Sequence, residues 1–136
     1  MYDIRPMRPD EEAEVRRLFR LAHSRRPDQA KQFYFLNPTL VAVRSDGKIA
    51  GHASMAVDNQ MVCWLRDTVV NPRMQGQGIG GQLMDARIAV ATELGCRVFI
   101  GAVDPDNTPM QQILQRRGFH ACQTMHDGRQ LWVRSE

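Results

Sequence analysis

A chain of 136 residues, 43% apolar and 24% charged, is long enough to bury an ordinary core and too short to divide into two, so one domain over residues 1–136 is expected. The formal charge is +3, and 16 of the 18 basic residues are arginines scattered along the chain, which suits a small phosphorylated ligand better than a nucleic-acid surface. No run approaches the ~20 apolar residues of a membrane span, the N-terminus lacks a signal-peptide core, and the widely spaced Cys63, Cys96 and Cys122 build neither a disulfide framework nor a metal motif. A cytoplasmic protein without metal, membrane or nucleic-acid partner is expected.

After a first strand, Asp10 is placed to cap a helix with Glu11 and Glu12 in its first turn and Val15, Leu18, Phe19 and Ala22 at helical spacing. A second short helix is predicted around Gln29 to Leu36, carrying Phe33-Tyr34-Phe35 and stopped by Asn37-Pro38. Leu40 to Val43 and Lys48 to Met55 flank Asp46-Gly47, a hairpin signal, and Met61 to Val70 adds a strand that ends at Asn71-Pro72. A long helix from Ile79 to Glu93 comes next, with a predicted apolar stripe of Ile79, Leu83, Ala86, Val90 and Leu94 and a stop at Gly95. Arg97 to Val103 reads as a buried strand, Pro109 to Arg117 as a helix stopped by Gly118, and Phe119 to Met125 with Arg129 to Val133 as a hairpin about Asp127-Gly128. The order β-α-α-β-β-β-α-β-α-β-β defines an α/β protein with a mixed sheet.

Chemistry concentrates between strand and long helix. Gly76, Gly78, Gly80 and Gly81 fill four of six positions, so successive backbone N–H groups and the positive end of the helix can converge on a pyrophosphate. No Gly-Lys-Ser/Thr comes after them, which excludes a Walker A nucleotide site. Gly76-x-Gly78-x-x-Gly81 satisfies the dinucleotide fingerprint, with Asp104 as a ribose-binding acid. That oxidoreductase reading is disfavoured because the loop lies past mid-chain and Asn71 to Gln75 separate it from the strand.

Gln75-Gly76-Gln77-Gly78-Ile79-Gly80 after Val70-Asn71-Pro72, together with Asn107 opening a helix that ends in Gly118-Phe119, resembles the GCN5-related N-acetyltransferases over the whole chain. The resemblance implies a GNAT-like acyl-CoA N-acyltransferase fold with acetyl-CoA as donor. It also implies that two adjacent strands splay apart and that the pantetheine arm pairs with backbone around Thr68, Val69 and Val70. The pyrophosphate would rest on the N–H groups of Gln75, Gly76, Gln77, Gly78, Ile79, Gly80 and Gly81, with Asn107 contributing to the cofactor site and Arg73 able to reach a phosphate. The implied reaction is direct attack of a primary amine on the thioester. The acceptor is a small-molecule or peptide amine, and the protein a monomer or homodimer.

Such a reaction needs a base for the ammonium and a proton for the departing thiolate. Many members of the family place a tyrosine acid seven residues after the helix-opening Asn, and here that position is Leu114. Of the remaining tyrosines, Tyr2 and Tyr34, the second is the acid candidate, although packing or a pocket wall suits the Phe33-Tyr34-Phe35 run better. Asp67 is the first base candidate, against a strand carboxylate paired with Arg66 or Arg97, and His52 the second, against a hydrogen-bonded wall histidine. Cys63 and Cys122 read as small buried residues, because no base is spaced to activate them. The missing tyrosine keeps open a catalytically silent acyl-CoA-binding module.

Overall fold

The computed structural model describes residues 2–22 and 39–136; the second helix and Tyr34 with its aromatic neighbours lie outside the described residues. The strands are β1 (Asp3–Pro6), β2 (Thr39–Val43), β3 (Ile49–Val57), β4 (Val62–Val70), β5 (Val98–Val103), β6 (His120–Thr124) and β7 (Gln130–Ser135). The helices are α1 (Glu12–Ala22), α2 (Ile79–Glu93) and α3 (Thr108–Gln115). One seven-stranded sheet runs in the order β1-β2-β3-β4-β5-β7-β6. Among the described residues only β4 and β5, joined through α2, are parallel; the other pairs are antiparallel. A single parallel pair is not the doubly wound sheet that binds dinucleotides.

Alternation along β2 assigns the two faces. Val41 and Val43 pack with Val15, Leu18 and Phe19 of α1, whereas Leu40 and Ala42 pack with Ile79 and Leu83 of α2. Farther along α2, Met84 and Ala91 meet Cys63, Leu65 and Phe99, and Leu114 of α3 joins them. Both later helices stop as expected. Gly95 and Gly118 adopt left-handed φ of 103° and 84°, and the next residue reaches back five positions, Cys96 N to Ala91 O at 2.9 Å and Phe119 N to Leu114 O at 3.1 Å. Phe119 thereby drops against Phe99 in an edge-on contact at 6.5 Å.

Three expectations change. Asp10 does not cap α1: Pro9 starts a 3₁₀ turn (Pro9–Glu11) one residue earlier, and Glu11 reaches back to the Arg8 N–H at 2.8 Å while pairing with Arg5 of β1. Leu94 is 51% exposed, and the buried face of α2 instead passes through Ile79, Leu83, Met84, Arg87 and Ala91, residues that recur at helical spacing. Cys122 is exposed, because all five residues of the edge strand β6 are uncovered.

The strand that ends at Val70 is not regular. Ala53 pairs with Thr68 but Met55 with Leu65, so two steps on β3 oppose three on β4, a bulge at Arg66-Asp67. The extra residue exchanges the faces of the rest of the strand: Cys63 and Leu65 lie with α2, whereas Val69, of the same parity, lies with α1. No helix among the described residues is long and apolar enough to cross a membrane.

Candidate active site

β4 and β5 pair only from Val62↔Val98 to Leu65↔Gly101. Beyond that point β5 continues on β7 through Ala102 and Val103, and among the described residues no strand pairs with the β5-facing edge of Arg66–Val70. The bulge lies at the point of separation, since it turns β4 out of the plane it shared with β5. A cavity of about 510 Å³ occupies the gap, with Asp67 and Thr68 on one wall, Ala102 and Val103 on the other, and Met110 and Leu114 of α3 across it.

The edge of β4 leads into the glycine loop. Asn71 ties the exit to β3 through its N–H on Ala50 O at 2.7 Å, and its side chain accepts from Arg73 N at 3.1 Å, opening a short 3₁₀ turn whose Met74 is buried. The four glycines divide into two pairs of different purpose. Gly76 and Gly78 have φ of 82° and 78°, a conformation that side chains oppose, and Gly78 caps α2. Gly80 and Gly81 instead admit α3: a Cβ on Gly80 would meet Ile113 at 3.3 Å, and one on Gly81 would meet Arg117 Nη2 at 2.8 Å. Arg117 fills that space, donating Nε and Nη2 to the Asp85 carboxylate at 2.6 and 3.1 Å and Nη2 also to the Gly81 carbonyl at 3.2 Å. The first intrahelical bond runs from Gln82 N to Gly78 O at 3.1 Å, so the N–H groups of Ile79, Gly80 and Gly81 point out of the helix end. The open space beside Gly76 and these three donors fit an anionic phosphate group. Tyr2, packed on the same cluster as Ile79, donates its hydroxyl to Gln77 Oε1 and so steadies the loop from the N-terminus.

Among the residues singled out in the sequence, Asp67, Thr68, Asn107 and Leu114 come together at the cavity. Asp67 is half-buried and has no ion pair among the described residues, with Arg66 or with Arg97. Its carboxylate is near enough to Arg87 to favour the charged guanidinium. Asn107 caps α3, accepting from Met110 N at 3.3 Å, and Leu114 is 1% exposed, so the position of the absent tyrosine does face the cavity but offers only hydrocarbon. His52 is fully buried, packs against Phe19 with ring centres 6.5 Å apart, and does not line the cavity. Val69 is buried towards α1 and Val70 packs towards α2, so both present backbone rather than side chain to the cleft. Burial pushes the Cys63 thiol up to about 11, and its S–H contacts Met55 Sδ at 3.7 Å, the environment of an inert core cysteine.

Sequence periodicity missed Arg87. Its guanidinium, fully buried, donates Nη1 to the carbonyls of Ser54 at 3.0 Å and Arg66 at 3.1 Å, and Nη2 to Thr68 Oγ1 at 2.6 Å. Burial pushes it down to about 10, so it stays cationic at neutral pH. The available signal was helical phase, because 79, 83, 87 and 91 fall on one face and only position 87 is polar.

A mixed sheet that opens beside a single parallel pair, with a glycine-capped helix at the end of the opening, defines an acyl-CoA transferase architecture. The sequence model of the acetyltransferase (GNAT) family matches residues 6–119, and the chain belongs to that family. No curated protein sequence matches it. Among solved structures, a GCN5-related N-acetyltransferase from Kribbella flavida is similar with a TM-score of 0.85 at 21% identity, over 99% of this chain and 98% of that one. The Salmonella typhimurium protein yncA, solved with its cofactor acetyl-CoA, gives 0.79 at 17% identity over 99% and 94%. The ribosomal-protein-S18-alanine N-acetyltransferase of Escherichia coli gives 0.78 at 18% identity over 99% and 94%.

Proposed function

We propose that the protein transfers an acetyl group from acetyl-CoA to a primary amine by direct attack on the thioester. The observation that carries this reading is the separation of β4 from β5, which exposes the backbone edge of Arg66–Val70 and leads it straight to the free N–H groups of Ile79, Gly80 and Gly81. An extended pantetheine arm would pair with that edge as a strand would, and its pyrophosphate would accept from the helix end. Membership of the family and the acetyl-CoA held by the Salmonella relative support the choice of donor.

Acetyl-CoA supplies the activated acyl carbon; the protein supplies alignment, exclusion of water and a proton acceptor. Asp67 lies on the cavity wall at the bulge, where its carboxylate would take a proton from the incoming ammonium directly or through one water; as the new C–N bond forms the thioester C–S bond breaks, and the CoA thiolate leaves and takes its proton from solvent. Holding the amine and the thioester in one cleft converts a bimolecular encounter into an oriented one. The acceptor is proposed to be a small-molecule or peptide amine.

The test is a thermal-shift comparison of CoA, acetyl-CoA and NAD at equal concentration, followed by a thiol-release screen of amines with acetyl-CoA. Stabilisation by both CoA forms and not by NAD, with thiol released for some amine, is expected. Stabilisation by NAD alone would overturn the reading. A second reading, a silent acyl-CoA-binding module, has Leu114 in its favour, since the cavity presents hydrocarbon at the position where the family resemblance implies a tyrosine acid. Binding of CoA with no thiol released from any amine class would select it.

A further inference from the structure

We propose that Arg87 is a positioning residue for the acyl arm: its buried guanidinium holds the β4 bulge in the shape that keeps β4 apart from β5. The proposal rests on the acetyl-CoA reading above. A buried guanidinium is costly and is usually matched by a carboxylate. Here its short contacts are the carbonyls of Ser54 and Arg66, the Thr68 hydroxyl and, at 3.7 Å, Met84 Sδ. Ser54 and Arg66 lie between the pairs Ala53↔Thr68 and Met55↔Leu65, where the ladder slips and regular pairing between β3 and β4 is lost. One nitrogen, Nη1, takes both carbonyls and so bridges the two strands at the slip. Nη2 then fixes Thr68, the first residue beyond the bulge to regain its partner on β3.

An apolar residue at 87 would take the shared donor from the buried Ser54 carbonyl and the part-buried Arg66 carbonyl, and a buried acceptor left without a donor is destabilising. Without that donor the slip at Arg66-Asp67 is no longer pinned, so β4 can shift its pairing with β3 and carry Arg66–Val70 out of the position that faces the cleft. Arg87 therefore acts on one half of the cleft and not on the other. It lies eight residues along α2 from Ile79, about 12 Å from the phosphate-binding end at 1.5 Å per residue. The glycine loop is built from different contacts, those of Asn71, Tyr2 and Arg117.

This separation gives the test. Calorimetry compares CoA with 3′-phosphoadenosine 5′-diphosphate, which has the pyrophosphate but no pantetheine, on wild type, Arg87→Met, Arg87→Lys and Thr68→Val. In Arg87→Met the affinity for CoA should fall by about tenfold or more, the worth of one charge-assisted hydrogen bond, while the fragment binds within about twofold of wild type. Arg87→Lys should recover part of the loss, and Thr68→Val, which keeps the charge and both carbonyl bonds, should lose about threefold for CoA alone. If Arg87→Met does not fold, the lysine and valine variants decide by the same selectivity. Equal losses for CoA and fragment, or no loss of CoA affinity, would overturn the proposal and leave Arg87 a core residue. Wild-type protein that binds neither ligand would overturn the acetyl-CoA reading, and this proposal with it.

Discussion

Asp67 owes its position to one inserted residue. A regular β4 would continue the alternation of Cys63 and Leu65 and present residue 67 to α2, whereas the bulge turns it to the cavity wall beside the cleft. If it is the base, Asp67→Asn should lower kcat/KM by about 100-fold, the usual scale of losing a general base. The low-pH limb of the wild-type profile should also vanish. Two acceptor amines of different pKa separate the causes, since a limb due to the amine moves with the acceptor and one due to Asp67 does not. His52→Gln should cost much less, because that ring lies outside the cavity lining. Near-wild-type kcat/KM in Asp67→Asn across the whole pH range, with the low-pH limb retained, would make a water chain the base. At this scale the sequence showed Asp67, Thr68 and the loop glycines, whose residue types announce their chemistry. It hid Arg87, because on a helix that also carries Gln82, Asp85 and Glu93 a charged residue reads as surface until the bulge that needs its donors is known.

At the scale of elements, three hairpin turns share one geometry with different residues. Gly47 N bonds Arg44 O, Gly128 N bonds Met125 O and Met61 N bonds Asp58 O, at 2.9, 3.0 and 3.1 Å. The residue at that donor position has φ of 86°, 90° and 61°. Two turns use glycine there; the third forces a methionine into the left-handed region, which costs an L residue about 1–2 kcal/mol. Met61→Gly should therefore raise stability by about 0.5–1 kcal/mol after the entropy of a new glycine is subtracted, read as a higher urea midpoint at unchanged slope. The two Asp-Gly turns were legible for the same reason that the Met61 turn was not: the latter is held by Asp58, which accepts from Gln60 N, Val62 N and Trp64 Nε1, a network no dipeptide signal encodes. The junction of β1 with α1 carries a second prediction. Arg5 holds the Glu11 carboxyl below its ordinary value through a 2.7 Å pair, so the pair's contribution is present at neutral pH and disappears as pH falls through that lowered value. Glu11→Gln should cost about 1 kcal/mol at pH 7 and progressively less in acid, measured by urea unfolding at pH 7 and through the acid range.

Across the whole molecule, the sheet is two antiparallel halves joined by four register pairs, Val62↔Val98 to Leu65↔Gly101. Periodicity alone supplied the strands but not this seam, because pairing length depends on where β4 bulges, and the bulge is held by contacts that Arg87 makes 33 and 21 residues away in sequence. The splay was legible only through the family resemblance of the glycine loop. A short seam has a mechanical consequence: residues beyond it lack a strand neighbour on one side and should open more readily than those within it. A CoA molecule lying between Arg66–Val70 and Ala102–Val103 would supply that neighbour. At a concentration one hundred times its Kd it should add about 2.7 kcal/mol, a rise in Tm of roughly 10 °C for a chain of this size. The same binding should slow amide exchange along Arg66–Val70 and at Ala102 and Val103 beyond the general stabilisation, and leave β1 and β2, at the far edge, with only the general effect. Hydrogen exchange read residue by residue separates this from simple mass action. Uniform slowing across all seven strands would mean that the ligand stabilises the fold without acting as the missing strand in the seam.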